Sequence, residues 1–99
     1  MHTRKRYEPL FQLGRICATP GAIAALQEAG EHPLPFIRRH VQGDDGEGLH
    51  DDDKRANLLA IRQGMRILSA YVLSTGERIW IITEAEPRSA TTILLPEEY

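Results

Sequence analysis

The sequence predicts an α+β fold: a short N-terminal strand, three helices, then a three-stranded antiparallel meander with the helices packed on one face. Two observations carry this. From Arg66 to Pro96 three runs rich in β-branched and aromatic residues follow one another: Ile67–Leu73, Arg78–Thr83 and Thr91–Leu95. Only Ser74-Thr75-Gly76 and Glu86-Pro87-Arg88-Ser89 separate them, which is the pattern of short strands joined by tight turns. Upstream, apolar residues recur at helical spacing in three stretches bounded by proline, glycine and capping residues. Laying helices on one face of a small antiparallel sheet is the economical way to bury both.

Each element has a local cause. Residues 1–8 show no periodicity and are expected to form a flexible basic arm around Arg4, Lys5 and Arg6; residues 9–99 then form a single domain. Leu10–Ala18 reads as a short strand, with Gly14 permitting a bulge or a close backbone approach. Thr19-Pro20-Gly21 announces a helix, because Thr19 can cap it and Pro20 suits its first position. Ala22, Ile23, Ala25, Leu26 and Ala29 give that helix one apolar face, and Gly30 suits its C-cap. After Pro33 and Pro35, the spacing of Phe36, Ile37, His40 and Val41 predicts a second helix of about two turns ending by Gly43. An acidic loop lies between Gly43 and Gly48. Asp51, Asp52 or Asp53 can cap a third helix and all three suit its positive end; its predicted stripe is Ala56, Leu59, Ala60 and Gln63 beside Leu58 and Ile61, with Gly64 as the stop.

Ninety-nine residues fit one domain with one core. The single cysteine, Cys17, excludes an intrachain disulfide and fits a cytoplasmic location. The basic start is not followed by the apolar segment of a secretory signal, and no apolar run approaches the roughly 20 residues of a membrane span. A net charge of −2, with Asp44, Asp45, Glu47 and Asp51–Asp53 concentrated in the middle, gives no global attraction for nucleic acid or anionic membrane.

The polar residues yield no catalytic signature. The serines lack a nucleophile-elbow setting, the glycines at 43, 46 and 48 alternate with acids that would repel phosphate, and Cys17 follows an apolar run where a free thiol is usually a small hydrophobe. No cofactor is expected. His50 with Asp51 is the one metal- or ligand-binding candidate, although adjacent helix positions point in different directions. A toxin-like ribonuclease acting on messenger RNA would draw on Arg38, His40, Arg66 and Arg78, with aromatics nearby to stack bases.

The run Ile79-Trp80-Ile81-Ile82 is apolar on both faces of its strand, so both faces need cover. With three short helices to hand, the second face falls to another subunit, which predicts a homodimer. Tyr71, Trp80 and Ile82 are the candidate protein-contact residues; a helix over that face would instead make Trp80 ordinary core.

Several segments carry a resemblance: Gly14–Ala22, Asp52–Asn57, Leu68–Tyr71, Arg78–Ala85 and Thr91–Tyr99. Over most of residues 13–99 the chain resembles short proteins of proteobacterial plasmids and integrative elements, described as "plasmid-related protein" or "type I restriction endonuclease subunit M". It departs at Gly43-Asp44-Asp45-Gly46, where such proteins tend to carry an aromatic after the acid. The glycine-rich cofactor turn and the Asn/Asp-Pro-Pro-Tyr/Phe motif of an adenine methyltransferase do not occur. The resemblance therefore implies company with mobile elements and no catalytic residues. The function expected is a non-catalytic interaction protein, acting as a homodimer or on a host or defence protein.

Overall fold

A computed structural model describes residues 9–99; the basic arm expected over 1–8 lies outside the described residues. The elements are β1 (Arg15–Ala18), α1 (Pro20–Ala29), α2 (Pro33–Val41), α3 (Asp51–Gln63), β2 (Ile67–Val72), β3 (Arg78–Thr83), β4 (Ala90–Leu94) and a 3-10 turn (Pro96–Glu98). The α+β class and the order of elements are those expected. The sheet differs. β2, β3 and β4 form an antiparallel meander, but β1 joins them, running parallel to β4, to give a four-stranded mixed sheet in the order β1-β4-β3-β2. β1 is also shorter than predicted. Gly14, at φ 65°, lies so close to Arg88 and Ser89 that a β-carbon there would clash with their backbone, and it turns residues 10–13 away from the sheet.

Strand alternation sorts the side chains cleanly. Ile67, Ser69 and Tyr71 lie opposite Thr83, Ile81 and Ile79, and Ile81 and Thr83 lie opposite Ile93 and Thr91; all are buried on what we call the inner face. Ala22, Ala25 and Leu26 of α1 and Phe36 and Ile37 of α2 pack with Tyr71, Ile79, Ile81 and Ile93, and Ala60 of α3 packs with Ile67, Phe11 and Val41. The buried residues of all three helices thus gather on one face, as expected.

α1 begins as its sequence dictates: the Thr19 hydroxyl accepts from the Ala22 amide at 3.1 Å, Pro20 occupies the first position, and Gly30 ends the helix at φ 67°. Ile23, however, is exposed rather than core. α2 is capped by His32, whose Nδ1 accepts from the Leu34 amide. On α3 the three aspartates occupy the first turn, where they suit the dipole, but the capping position belongs to His50, which makes no side-chain cap. The α3 stripe is rotated from the prediction: Asn57 and Ala60 are buried, whereas Leu58 and Leu59 are 62% and 52% exposed.

Asn57 explains that rotation. The outer edge of β2 presents the amides and carbonyls of Leu68, Ala70 and Val72, and an unpaired edge invites association. The Asn57 amide accepts from Leu68 N–H at 3.1 Å and donates to the Leu68 carbonyl, so it acts as a short strand. Ala70 donates to the Asp45 carbonyl at 2.9 Å and accepts from the Gly48 amide at 3.0 Å, and Glu47 Oε1 accepts from Val72 N–H. The acidic loop is therefore a seal along β2. Gly46, at φ 89°, makes the approach possible, since a β-carbon there would lie 2.0 Å from the Ala70 carbonyl oxygen.

Candidate functional site

On the outer face, Arg78, Trp80 and Ile82 alternate along β3, with Trp80 flanked by Ala70 and Leu94. The 3-10 turn brings the chain back so that Tyr99 meets Trp80 edge to face, with ring centroids 5.6 Å apart. The Arg66 guanidinium stands 5.3 Å from the centroid of the Tyr99 ring. Trp80 is half-buried, and Arg66, Arg78 and Tyr99 are exposed. This arginine–aromatic cluster is the candidate site on the outer face.

The expected protein-contact residues separate. Trp80 belongs to the cluster. Ile82 shares its face but is only 5% exposed, so it supports the surface rather than offering one. Tyr71 points to the inner face and is fully buried, with its hydroxyl donating to the Asp44 carbonyl at 2.5 Å, which corrects its assignment as a contact residue. Burial raises the Tyr71 phenol pKa. Tyr99 was missed as a site residue because nothing in a terminal Pro-Glu-Glu-Tyr indicates which side chain it will fold onto.

The residues of the ribonuclease reading do not converge. Arg38 is exposed on α2, on the helix side of the sheet, whereas Arg66 and Arg78 lie on the outer side. His40 is 1% exposed in the core. Its Nδ1 lies 2.5 Å from Ser69 Oγ and its Nε2 2.8 Å from Thr83 Oγ1; Thr83 Oγ1 lies 2.7 Å from Thr91 Oγ1, which lies 2.7 Å from the Leu13 carbonyl oxygen. Counting protons along this chain fixes its direction. A carbonyl only accepts, so Thr91 donates to Leu13 and Thr83 must donate to Thr91. The imidazole must then donate from Nε2, and a neutral ring takes the Ser69 proton at Nδ1. Burial, together with the Arg88 charge, pushes the His40 pKa down from 6.5 to about 4, so the ring is neutral at pH 7. A serine beside a histidine looks like a nucleophile and its base, but both are sealed from any substrate, and their order serves the core.

Two arginines are structural. Arg88 is buried at φ 56° and donates to the Ala60, Met65 and Glu84 carbonyls, closing the C-terminal end of α3. Arg39 bonds Asp44 at 2.7 Å and Glu47 at 3.1 Å, and stands 4.6 Å from the Tyr71 ring centroid. The Asp44 hydrogen bond raises the Arg39 pKa, and the same bond lowers that of Asp44. For Glu47, burial acts upward, but hydrogen bonds from its own backbone, Arg39 and Val72 leave the pKa lowered. These pairs fasten the acidic loop to α2.

His50 and Asp51 sit side by side at the exposed start of α3, and among the described residues no three histidine, cysteine or acidic side chains converge on a metal position. Among those residues, too, no helix is long and apolar enough to cross a membrane. No family model, curated protein or solved structure matches the chain. The outer-face cluster therefore has to be read from its own chemistry. Two arginines and two aromatic rings on a strand surface offer flat apolar area, stacking and fixed positive charge, and tryptophan, tyrosine and arginine are the side chains that most often anchor protein interfaces.

Proposed function

We propose that the chain is a non-catalytic interaction protein of a mobile genetic element, working in the cytoplasm as a homodimer and offering its outer sheet face to a host or defence protein. The observation that carries this reading is the stack of Arg66 on Tyr99 on Trp80, with Arg78 beside it, on the face of the sheet opposite to the three helices. The rings supply rigid contact area at small entropic loss, and the guanidiniums favour a partner with carboxylates or carbonyls at its contact. The setting among mobile elements rests on the sequence resemblance, and the cytoplasm on the lone thiol.

The test compares proteins captured by the wild-type chain with those captured by Trp80→Ala and Arg78→Glu. Both positions reach solvent, so both variants should retain the far-UV spectrum of the wild type. A host protein held by the wild type and lost from both variants supports the reading. An identical capture profile for all three refutes it, and retention of single-stranded RNA in place of protein would turn the same face into a nucleic-acid platform.

A further inference from the structure

The two edges of the sheet are treated in opposite ways. Along β2, every outward backbone group of Leu68 and Ala70, and the Val72 amide, has a partner. Along β1, Arg15 N–H bonds Ser89 and Thr19 N–H bonds Ile93, so alternation turns the amides and carbonyls of Ile16 and Ala18 outward. Among the described residues nothing pairs with them, and Ile16 is 49% exposed. On the helix side two apolar clefts flank this edge: one of about 580 Å³ beside Ile16, Leu13 and Val41, and one of about 260 Å³ beside Ala18, Ile23 and Leu26.

We propose that β1 is the dimer interface: β1 of a second copy of this chain adds antiparallel to it across a two-fold axis through Cys17, making one continuous eight-stranded sheet. This rests on the homodimer reading above but places the contact at the sheet edge instead of on the Trp80 face. Four features make the edge complementary to itself. In this register Ile16 opposes Ala18 of the second copy, so the outward donors and acceptors of both strands satisfy one another. Large meets small, and each Ile16 lies over the cleft beside the other copy's Ala18 and Ile23. The ends match in charge. Arg15, exposed and without a carboxylate among the described residues, opposes Thr19, whose hydroxyl bonds Glu98 at 2.5 Å, so each Arg15 comes up to the other copy's Glu98. Finally, the sealed β2 edges stop further addition, so the assembly closes at two chains instead of growing into a filament.

The register also supplies its own probe. Cys17 faces Cys17 as a non-hydrogen-bonded pair, for which the Cα separation is about 4.5 Å, inside the range of roughly 4.4–6.8 Å that a disulfide bridges. Cys17 is the only cysteine, so any thiol cross-link between chains passes through it. The experiment is light scattering of the full chain, with mild diamide oxidation followed by non-reducing electrophoresis, on the wild type and on Ile16→Lys, which places a charge on the edge. The expected result is a wild-type dimer that cross-links through Cys17, and a folded Ile16→Lys monomer that does not. A dimer that resists cross-linking, or that survives in Ile16→Lys, overturns the β1 interface while leaving the dimer; a single-chain mass at every concentration overturns both. Should the variant misfold, amide exchange in the wild type decides: Ile16 and Ala18 must be protected when the protein is concentrated and exposed on dilution, and protection that ignores concentration refutes the pairing.

Discussion

Acidification should weaken this fold earlier than its carboxylates alone would, and the excess is set by His40. In the native state its pKa is about 4, against 6.5 in an exposed chain. Between these values the unfolded state binds a proton that the folded state refuses, so stability is complete above pH 6.5 and falls as the pH drops toward 4. The difference of 2.5 units corresponds to about 3 kcal/mol, and about 2 kcal/mol of it falls between pH 7 and 5. The carboxylates with shifted pKa values, Asp44, Glu47 and Glu98, are all lowered, so their contribution is lost at more acid pH and leaves this window to the imidazole. Protonation would also place a second donor on Nδ1, forcing the Ser69 hydroxyl to turn away inside a packed core. The assay is urea unfolding at half-unit pH intervals from 7.5 to 4.5, on the wild type and on His40→Gln, with the imidazole titration of the folded protein followed by NMR. Unfolding free energy that stays flat between pH 7 and 5, or a native imidazole that titrates near 6.5, would show that the ring is not held neutral by its surroundings and would break the proton count along the chain.

Three further outcomes follow from the packing. Asn57→Ala should lower stability by about 1–3 kcal/mol in urea unfolding, because it strips Leu68 of both edge partners, while Leu59→Ala, two residues on and exposed, should stay within about 0.5 kcal/mol. Gly46→Ala should lower the unfolding midpoint by the equivalent of about 1–3 kcal/mol and promote aggregation at neutral pH, since it strains a φ of 89° and lifts the loop from β2. Arg88→Met should destabilise by about 2–4 kcal/mol, leaving the Ala60, Met65 and Glu84 carbonyls short of a donor, and should raise the His40 pKa in an NMR titration because the repelling charge is gone.

Local chemistry made most of the elements legible. Thr19-Pro20 and Gly30 bound α1, Gly64 ends α3, and the three β-branched runs became β2, β3 and β4, because caps, breakers and strand propensity act within a few residues. What escaped depends on contacts distant in the chain. Arg15–Ala18 pairs with Ala90–Ile93, and three of its four residues are exposed, so it carries no burial alternation to reveal its partner. The α3 stripe differs from its hydrophobic pattern because leucine outranks asparagine in any hydrophobic count, whereas Asn57 is buried for the backbone groups of Leu68, which composition does not weigh. The spacing marks His40 as a helical core position, yet its partners Ser69 and Thr83, and Thr91 beyond Thr83, come from three separate strands. At the candidate site Trp80 was visible from strand period alone, while Tyr99 and the stacking of Arg66 on it were not.

The parallel pairing of β1 with β4 has a consequence for how the protein is made. β1 leaves the ribosome 75 residues ahead of the strand it needs, since Arg15 pairs with Ala90, so the nascent chain carries Ile16 and Cys17 without their sheet neighbour until Ala90–Ile93 emerge. A premature stop before Thr91 would remove the neighbour of β1 and the hydroxyl that accepts the Thr83 proton in one stroke. Truncated products should therefore be cleared by proteases, not accumulate as partly working fragments.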